Sequence, residues 1–198
     1  MAPAPDDAST QLMMRSCPRR LLLGLLLVLT LSGPAEGRHL SALGIQELRE
    51  TLVAPVFTLP NLADRPVTLT EFRGKLVLLN FWATWCPPCV AEMPDLERLY
   101  REFKAEGFVI VAVSIDTQGK KVVAPFWEKT GLTFPSLLDT SGEVATRYGV
   151  RVLPASFLIS PEGEIIARIL GPRDWHGEKA RAIFKDLLLE ANRGGKPR

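Results

Sequence analysis

Seven consecutive positions from Leu76 to Trp82 are apolar except for Asn80, which predicts a strand covered on both faces of a sheet. Residues 108–115 repeat that pattern, and residues 136–138 predict a short third strand. Residues 56–59 and 67–70 alternate apolar and polar positions around Asn61 to Pro66 and predict a hairpin. Residues 155–159 and 165–170 predict a second hairpin turning at Ser160 to Gly163. Elsewhere the period lengthens. Met93, Leu96, Leu99, Tyr100 and Phe103 recur at helical spacing and predict a helix over 89–103, bent by Pro94 and ended by Gly107. Further helices are predicted over 122–129, with Pro125 near the start, over 143–148, stopped by Gly149, and over 177–190. Residues 40–50 are mixed and read as a short helix or a linker, and residues 191–198 as a polar tail that frays. Strands alternating with helices, then a hairpin and a helix, predict an α/β fold with a central mixed sheet and helices on both faces.

Composition adds little to that picture except at the start. The chain has 198 residues, 46% hydrophobic and 23% charged, enough for one cored domain. A net charge of +2, with no interleaving of basic and aromatic residues, argues against nucleic acid as a partner. Residues 1–10 are rich in Ala, Pro and Asp and read as disordered. Arg15, Arg19 and Arg20 then precede an apolar run of 11 residues at 21–31, followed by small residues. This is the layout of an export signal. As a helix the run spans about 16 Å, against a hydrocarbon core of about 30 Å. A cleaved signal is favoured, with an uncleaved membrane anchor as the second reading. Basic residues before the run place the rest of the chain across the membrane. Cys17 precedes the apolar run and is assigned no role, and Arg19-Arg20 is a weak twin-arginine signal. Met13 and Met14 are alternative starts. The organisation expected is 1–37 leader, 38–53 linker or short helix, 54–190 globular domain and 191–198 tail.

The chemistry concentrates at Cys86-Pro87-Pro88-Cys89, between a predicted strand and a predicted helix. Two thiols at this spacing close a small disulfide or open to a dithiol. A cysteine at a helix start has its thiolate stabilised by the macrodipole, and the thiolate is the species that exchanges disulfides. A structural zinc needs four ligands, and Cys17, His39 and His176 show no paired spacing. A bridge across two residues constrains the unfolded chain little. Apart from Cys17 these are the only cysteines, so the pair reads as a redox centre rather than a staple.

Together with Asn80 to Cys89, the residues Glu92, Leu153 to Ile159 and Gly171-Pro172 resemble the thioredoxin superfamily, and within it the exported TlpA/ResA/CcmG-like thiol–disulfide oxidoreductases. The resemblance covers about residues 54–189. It implies a thioredoxin-like three-layer fold with a central mixed sheet, an N-terminal β-hairpin extension and an inserted strand–helix unit. It implies Cys86 as an exposed attacking nucleophile and Cys89 as the buried resolving thiol. Pro154 matches the family's cis-proline, where sequence alone reads a strand-start proline. It would leave the backbone of Leu153 free to pair with a substrate strand. Cytoplasmic thioredoxins carry a buried aspartate six residues before the first cysteine, but this chain has Asn80, which cannot act as a base. Glu92, three residues after Cys89, takes the acid–base role in the exported branch, its pKa raised by burial. The alternative is a surface glutamate in the first helical turn.

Trp85 is expected to cover the disulfide and offer an apolar docking face. Trp82 is expected in the core, Trp127 in packing, and Trp175 and His176 in packing or surface roles. Pro87 and Pro88 remove two N–H donors and should keep the Cys86 thiolate pKa above that of strongly oxidising relatives. The resemblance implies a disulfide reductase with no cofactor beyond the Cys86–Cys89 pair and no metal. Its partners would be disulfide-containing exported proteins, apocytochrome c among them, and a membrane electron donor of the CcdA/DsbD type. Its place would be the bacterial periplasm, either soluble or held at the inner membrane. A thiol peroxidase would carry Ser or Thr three residues before the cysteine, where Ala83 stands. A copper-handling module would use the pair as a soft-metal site.

Overall fold

A computed structural model describes residues 46–193, with side chains from residue 52 onward. The leader and Cys17, the segment up to residue 45 and the end of the tail lie outside the described residues. The elements in order are β1 (Gln46–Val53), β2 (Thr58–Pro60), β3 (Pro66–Thr68), β4 (Leu76–Trp82), α1 (Pro87–Phe103), β5 (Phe108–Ser114), α2 (Lys120–Thr130), β6 (Ser136–Leu138), α3 (Glu143–Arg147), β7 (Ala155–Ile159), β8 (Glu164–Leu170) and α4 (Glu178–Asn192). Among the described residues no helix is long and apolar enough to cross a membrane.

Six strands form one sheet in the order β1-β8-β7-β4-β5-β6. β4, β5 and β6 run parallel, while β7, β8 and β1 join antiparallel, so the sheet is mixed as expected. The near-continuous apolar runs occupy its centre, and every residue of β4 and β5 is buried. The two-residue period then sorts β4 between two cores. Leu76, Leu78 and Trp82 pack with Met93, Leu96, Leu99, Phe184 and Leu188, beneath α1 and α4. Val77, Leu79 and Phe81 face the other way, toward Phe57, Val67, Val144 and Tyr148. By the same alternation Asn80 lies on the α1 side.

Three expectations change. Residues 46–53 are neither linker nor helix: they form β1 and pair with β8, Val53 opposite Glu164 and Gln46 opposite Arg168. That strand is invisible to periodicity because what defines it is a partner more than a hundred residues later. The first hairpin is real but shorter than predicted, since Leu69–Phe72 turns as a 3-10 helix with Glu71 accepting the Thr68 N–H at 2.7 Å. Pro125 sits in the middle of α2 rather than near its start, because the helix begins at Lys120. α1 continues through Pro94, and Gly107 follows its 3-10 extension in the left-handed region at φ 92°, which costs glycine least.

Candidate active site

β4 delivers the chain to the C-terminal edge of the parallel strands, where a turn at Ala83 to Trp85 leads into α1. Asp116, just after β5, holds that turn. Its buried carboxylate accepts from the Thr84 N–H (2.9 Å), the Thr84 hydroxyl (2.7 Å) and the Ser114 hydroxyl (2.7 Å). The Ile115 N–H donates to the Trp82 carbonyl at 3.0 Å and ties the two strand ends together. The sequence reading passed over Asp116. Its signal was an acid directly after a buried strand, one strand away from the cysteines.

Cys86 is the N-cap of α1, and Pro87 and Pro88 occupy the first two helical positions, where no backbone N–H is needed. Cys86 and Cys89 form a disulfide with Cα atoms 5.3 Å apart. Cys89 is fully buried, as expected. Cys86 is less open than expected, at 5% exposure, because it sits on the floor of a groove rather than on an open rim. Trp85, Val152 and Leu153 wall this groove of about 500 Å³. Trp85 is 64% exposed, so its ring offers an apolar face to solvent. The Leu153–Pro154 peptide bond is cis, and the Pro154 carbonyl accepts from the Gly171 N–H at 2.9 Å. The fold thus brings Cys86, Trp85 and Leu153 to one groove from two distant segments.

Glu92 projects to the other side of the cysteine pair, into the core between α1 and the sheet. It is 3% exposed, so the surface reading of this residue fails. Asn80 Nδ2 donates to Glu92 Oε1 at 3.0 Å and to Ser156 Oγ at 3.0 Å. Trp175 Nε1 donates to Glu92 Oε2 at 2.8 Å, and the Arg173 N–H to the same oxygen at 3.3 Å. Loss of hydration raises the Glu92 pKa, and the three donors pull against that rise without cancelling it. Asn80 stands opposite Ser156 in the β4–β7 register, which explains why both reach the same carboxylate network. Trp175 was expected to do no more than pack or lie on the surface. It is buried against Phe184, but its indole N–H is what holds Glu92. His176 lies 3.3 Å from Glu102, which Arg181 also grips at 2.8 Å, so it belongs to a surface cluster. Trp82 is fully buried in the core, and the half-buried Trp127 packs against it at 5.4 Å, both as expected.

The arrangement is a dithiol–disulfide pair at a helix start, open on the Cys86 side to a groove and backed on the Cys89 side by a buried carboxyl. Comparison with known proteins agrees. The AhpC/TSA family model matches residues 52–168. The thiol–disulfide oxidoreductase ResA of Bacillus subtilis (strain 168) is 39% identical over 128 residues, covering 65% of this chain and 71% of the relative. ResA of Geobacillus thermodenitrificans is 44% identical over 118 residues, covering 60% and 67%. Among solved structures, the thioredoxin domain of a Bacteroides vulgatus thiol–disulfide oxidoreductase superposes with a TM-score of 0.62 at 29% identity, covering 71% of this chain and 99% of that one. A thiol–disulfide oxidoreductase from Bacteroides fragilis gives 0.59 at 33% identity, covering 68% and 98%. The chain therefore belongs to the AhpC/TSA family, and within it to the thiol–disulfide oxidoreductases of the ResA type.

Proposed function

We propose that the protein works in the reducing direction, as an exported protein-disulfide reductase. The observation that carries the exchange chemistry is the buried Glu92 carboxyl, one helical turn beyond Cys89 and held by Asn80, Trp175 and the Arg173 backbone, and likeness to the ResA oxidoreductases supports the reducing direction. In the dithiol form, the Cys86 thiolate attacks one sulfur of a substrate disulfide. A mixed disulfide forms, and the other substrate sulfur leaves as a thiolate that takes up a proton. Cys89 then loses its proton to Glu92 and attacks the Cys86 sulfur. The second substrate thiolate departs and is protonated, and the protein is left as the Cys86–Cys89 disulfide. Two electrons and two protons pass to the substrate, and a membrane dithiol donor of the CcdA/DsbD type restores the dithiol.

A raised carboxyl pKa makes Glu92 a better acceptor of the Cys89 proton than an ordinary carboxylate would be. Cys86 is the proposed nucleophile and Cys89 the resolving thiol. Trp85 and the main chain of Leu153, beside Pro154, form the substrate platform. No hydrogen bond among the described residues uses the Leu153 backbone, which supports its pairing with an incoming strand. Disulfide-containing exported proteins, including apocytochrome c, are the proposed substrates. The thiol-peroxidase alternative is weakened at Ala83 and Thr84: the first has no hydroxyl, and the hydroxyl of the second is donated to Asp116.

Thiol trapping of the Cys86–Cys89 pair in graded redox buffers tests the direction. A potential near that of thioredoxin, about −270 mV, supports electron donation, and one near that of DsbA, about −120 mV, overturns it. Export rests on the basic–apolar leader at 15–37. An alkaline phosphatase joined after residue 60 would be active in the periplasm, and an inactive fusion would place the domain inside the cell.

A further inference from the structure

The groove beside Cys86 carries one charge. Trp85, Ile115, Val150, Val152 and Leu153 give it apolar walls, and Arg151 is the single charged residue that lines it. Arg151 is exposed, and no hydrogen bond or ion pair holds its side chain among the described residues. The nearest charges along the chain offset each other, since Arg147 faces Glu143 at 3.9 Å. Arg151 precedes Leu153 by two residues, and both line the same groove as Cys86. A substrate segment whose cysteine stood over Cys86 in this groove would bring a neighbouring side chain within reach of Arg151.

From this placement we propose that Arg151 selects substrates by charge, favouring polypeptide disulfides with an acidic residue within two or three positions of the attacked cysteine. The proposal rests on the reductase reading of the same groove and adds the substrate class to it. An unpaired guanidinium on a largely apolar wall attracts a carboxylate and repels a lysine, and it does so before the sulfurs meet. The effect therefore falls on the second-order rate rather than on the potential of the cysteine pair.

The test uses the reduced full-length chain and three short synthetic peptides, each closed by one disulfide. The peptides are identical except for Asp, Asn or Lys two residues from one cysteine. Second-order rate constants are read from the change in protein tryptophan fluorescence. The Asp-to-Lys rate ratio within each variant is the readout, because a general loss of activity cancels from it. At low salt the wild-type ratio should be about two to five, the range of an exposed ion pair. It should fall toward one in molar salt, persist in Arg151→Lys and invert in Arg151→Glu. A wild-type ratio of one, or a ratio that Arg151→Glu leaves unmoved, overturns the proposal while the reductase reading stands. If wild type fails to reduce even the Asn peptide, the reductase reading falls, and this proposal with it.

Discussion

Glu92 shows how one side chain feels opposing forces. Burial disfavours its charge, and donors from Trp175, Arg173 and Asn80 favour it. Because its pKa is raised in the folded chain, the folded state binds the proton more tightly than the unfolded state does. The stability from this group is complete below the ordinary value of 4.5 and is lost as pH climbs through the raised folded value. Glu92→Gln removes that loss. A rotated Asn80 amide would present Oδ1, which has no partner at present, to the new donor. Its urea midpoint should exceed that of the wild type near neutrality, with the gap closing in acid; parallel pH curves for the two proteins would show that Glu92 does not titrate on folding. The same variant should slow resolution of the mixed disulfide and remove the pH dependence that Glu92 imposes on it. Trp175→Phe keeps most of the buried ring but deletes the donor at 2.8 Å. With one favourable contact to the charge gone, the Glu92 pKa should rise further. The midpoint of the pH–rate profile for Cys89 attack should then move upward, and an unshifted midpoint would mean that Trp175 only packs.

Elements matter here mostly through their ends. The turn from β4 into α1 keeps its shape because Asp116, two residues past β5, takes both Thr84 donors. Asp116→Ala leaves the half-buried Thr84 N–H and hydroxyl without that acceptor, at a cost of about 1 kcal/mol, the low end for an unmade donor. Urea titration should record that loss, and hydrogen exchange should show faster opening at Thr84. Unchanged exchange at Thr84 would remove Asp116 from the turn's support. α4 acts at longer reach. Phe184 packs against Phe108 at 5.0 Å and Trp175 at 6.4 Å, so the last helix backs the loop that carries the Glu92 donor. Phe184→Ala should cost about 3–5 kcal/mol, as for other buried aromatic truncations. A cost below 1 kcal/mol would show that α4 contributes little to this core.

Across the whole molecule the sheet has two edges, and the chain covers them differently. Beyond β6, Asn61 of the β2–β3 hairpin bridges to Leu137. On the other side, β1 lies along β8. Deleting residues 46–53 should uncover the β8 edge, lower the urea midpoint and promote self-association, since open edges template further pairing. An unchanged midpoint with a monodisperse chain would show β1 to be dispensable. Sequence periodicity by itself determined β4 to the residue, α1 to within two positions and the second hairpin. It also located the cysteine pair at a strand–helix junction. These features are local: alternation, helical spacing and turn residues act over a few positions and need no distant partner. Resemblance to relatives, rather than spacing, pointed to Glu92 and to Pro154. What only the tertiary structure decided is the set of partners. β1 is a strand because β8 lies beside it. Trp175 is tied to Glu92 across 83 residues, and Asp116 to Thr84 across 32. The physical reason is that a buried polar group is satisfied by whichever donor or acceptor strand register and helix packing bring within about 3 Å, and hydrophobic spacing along the chain carries no record of that choice.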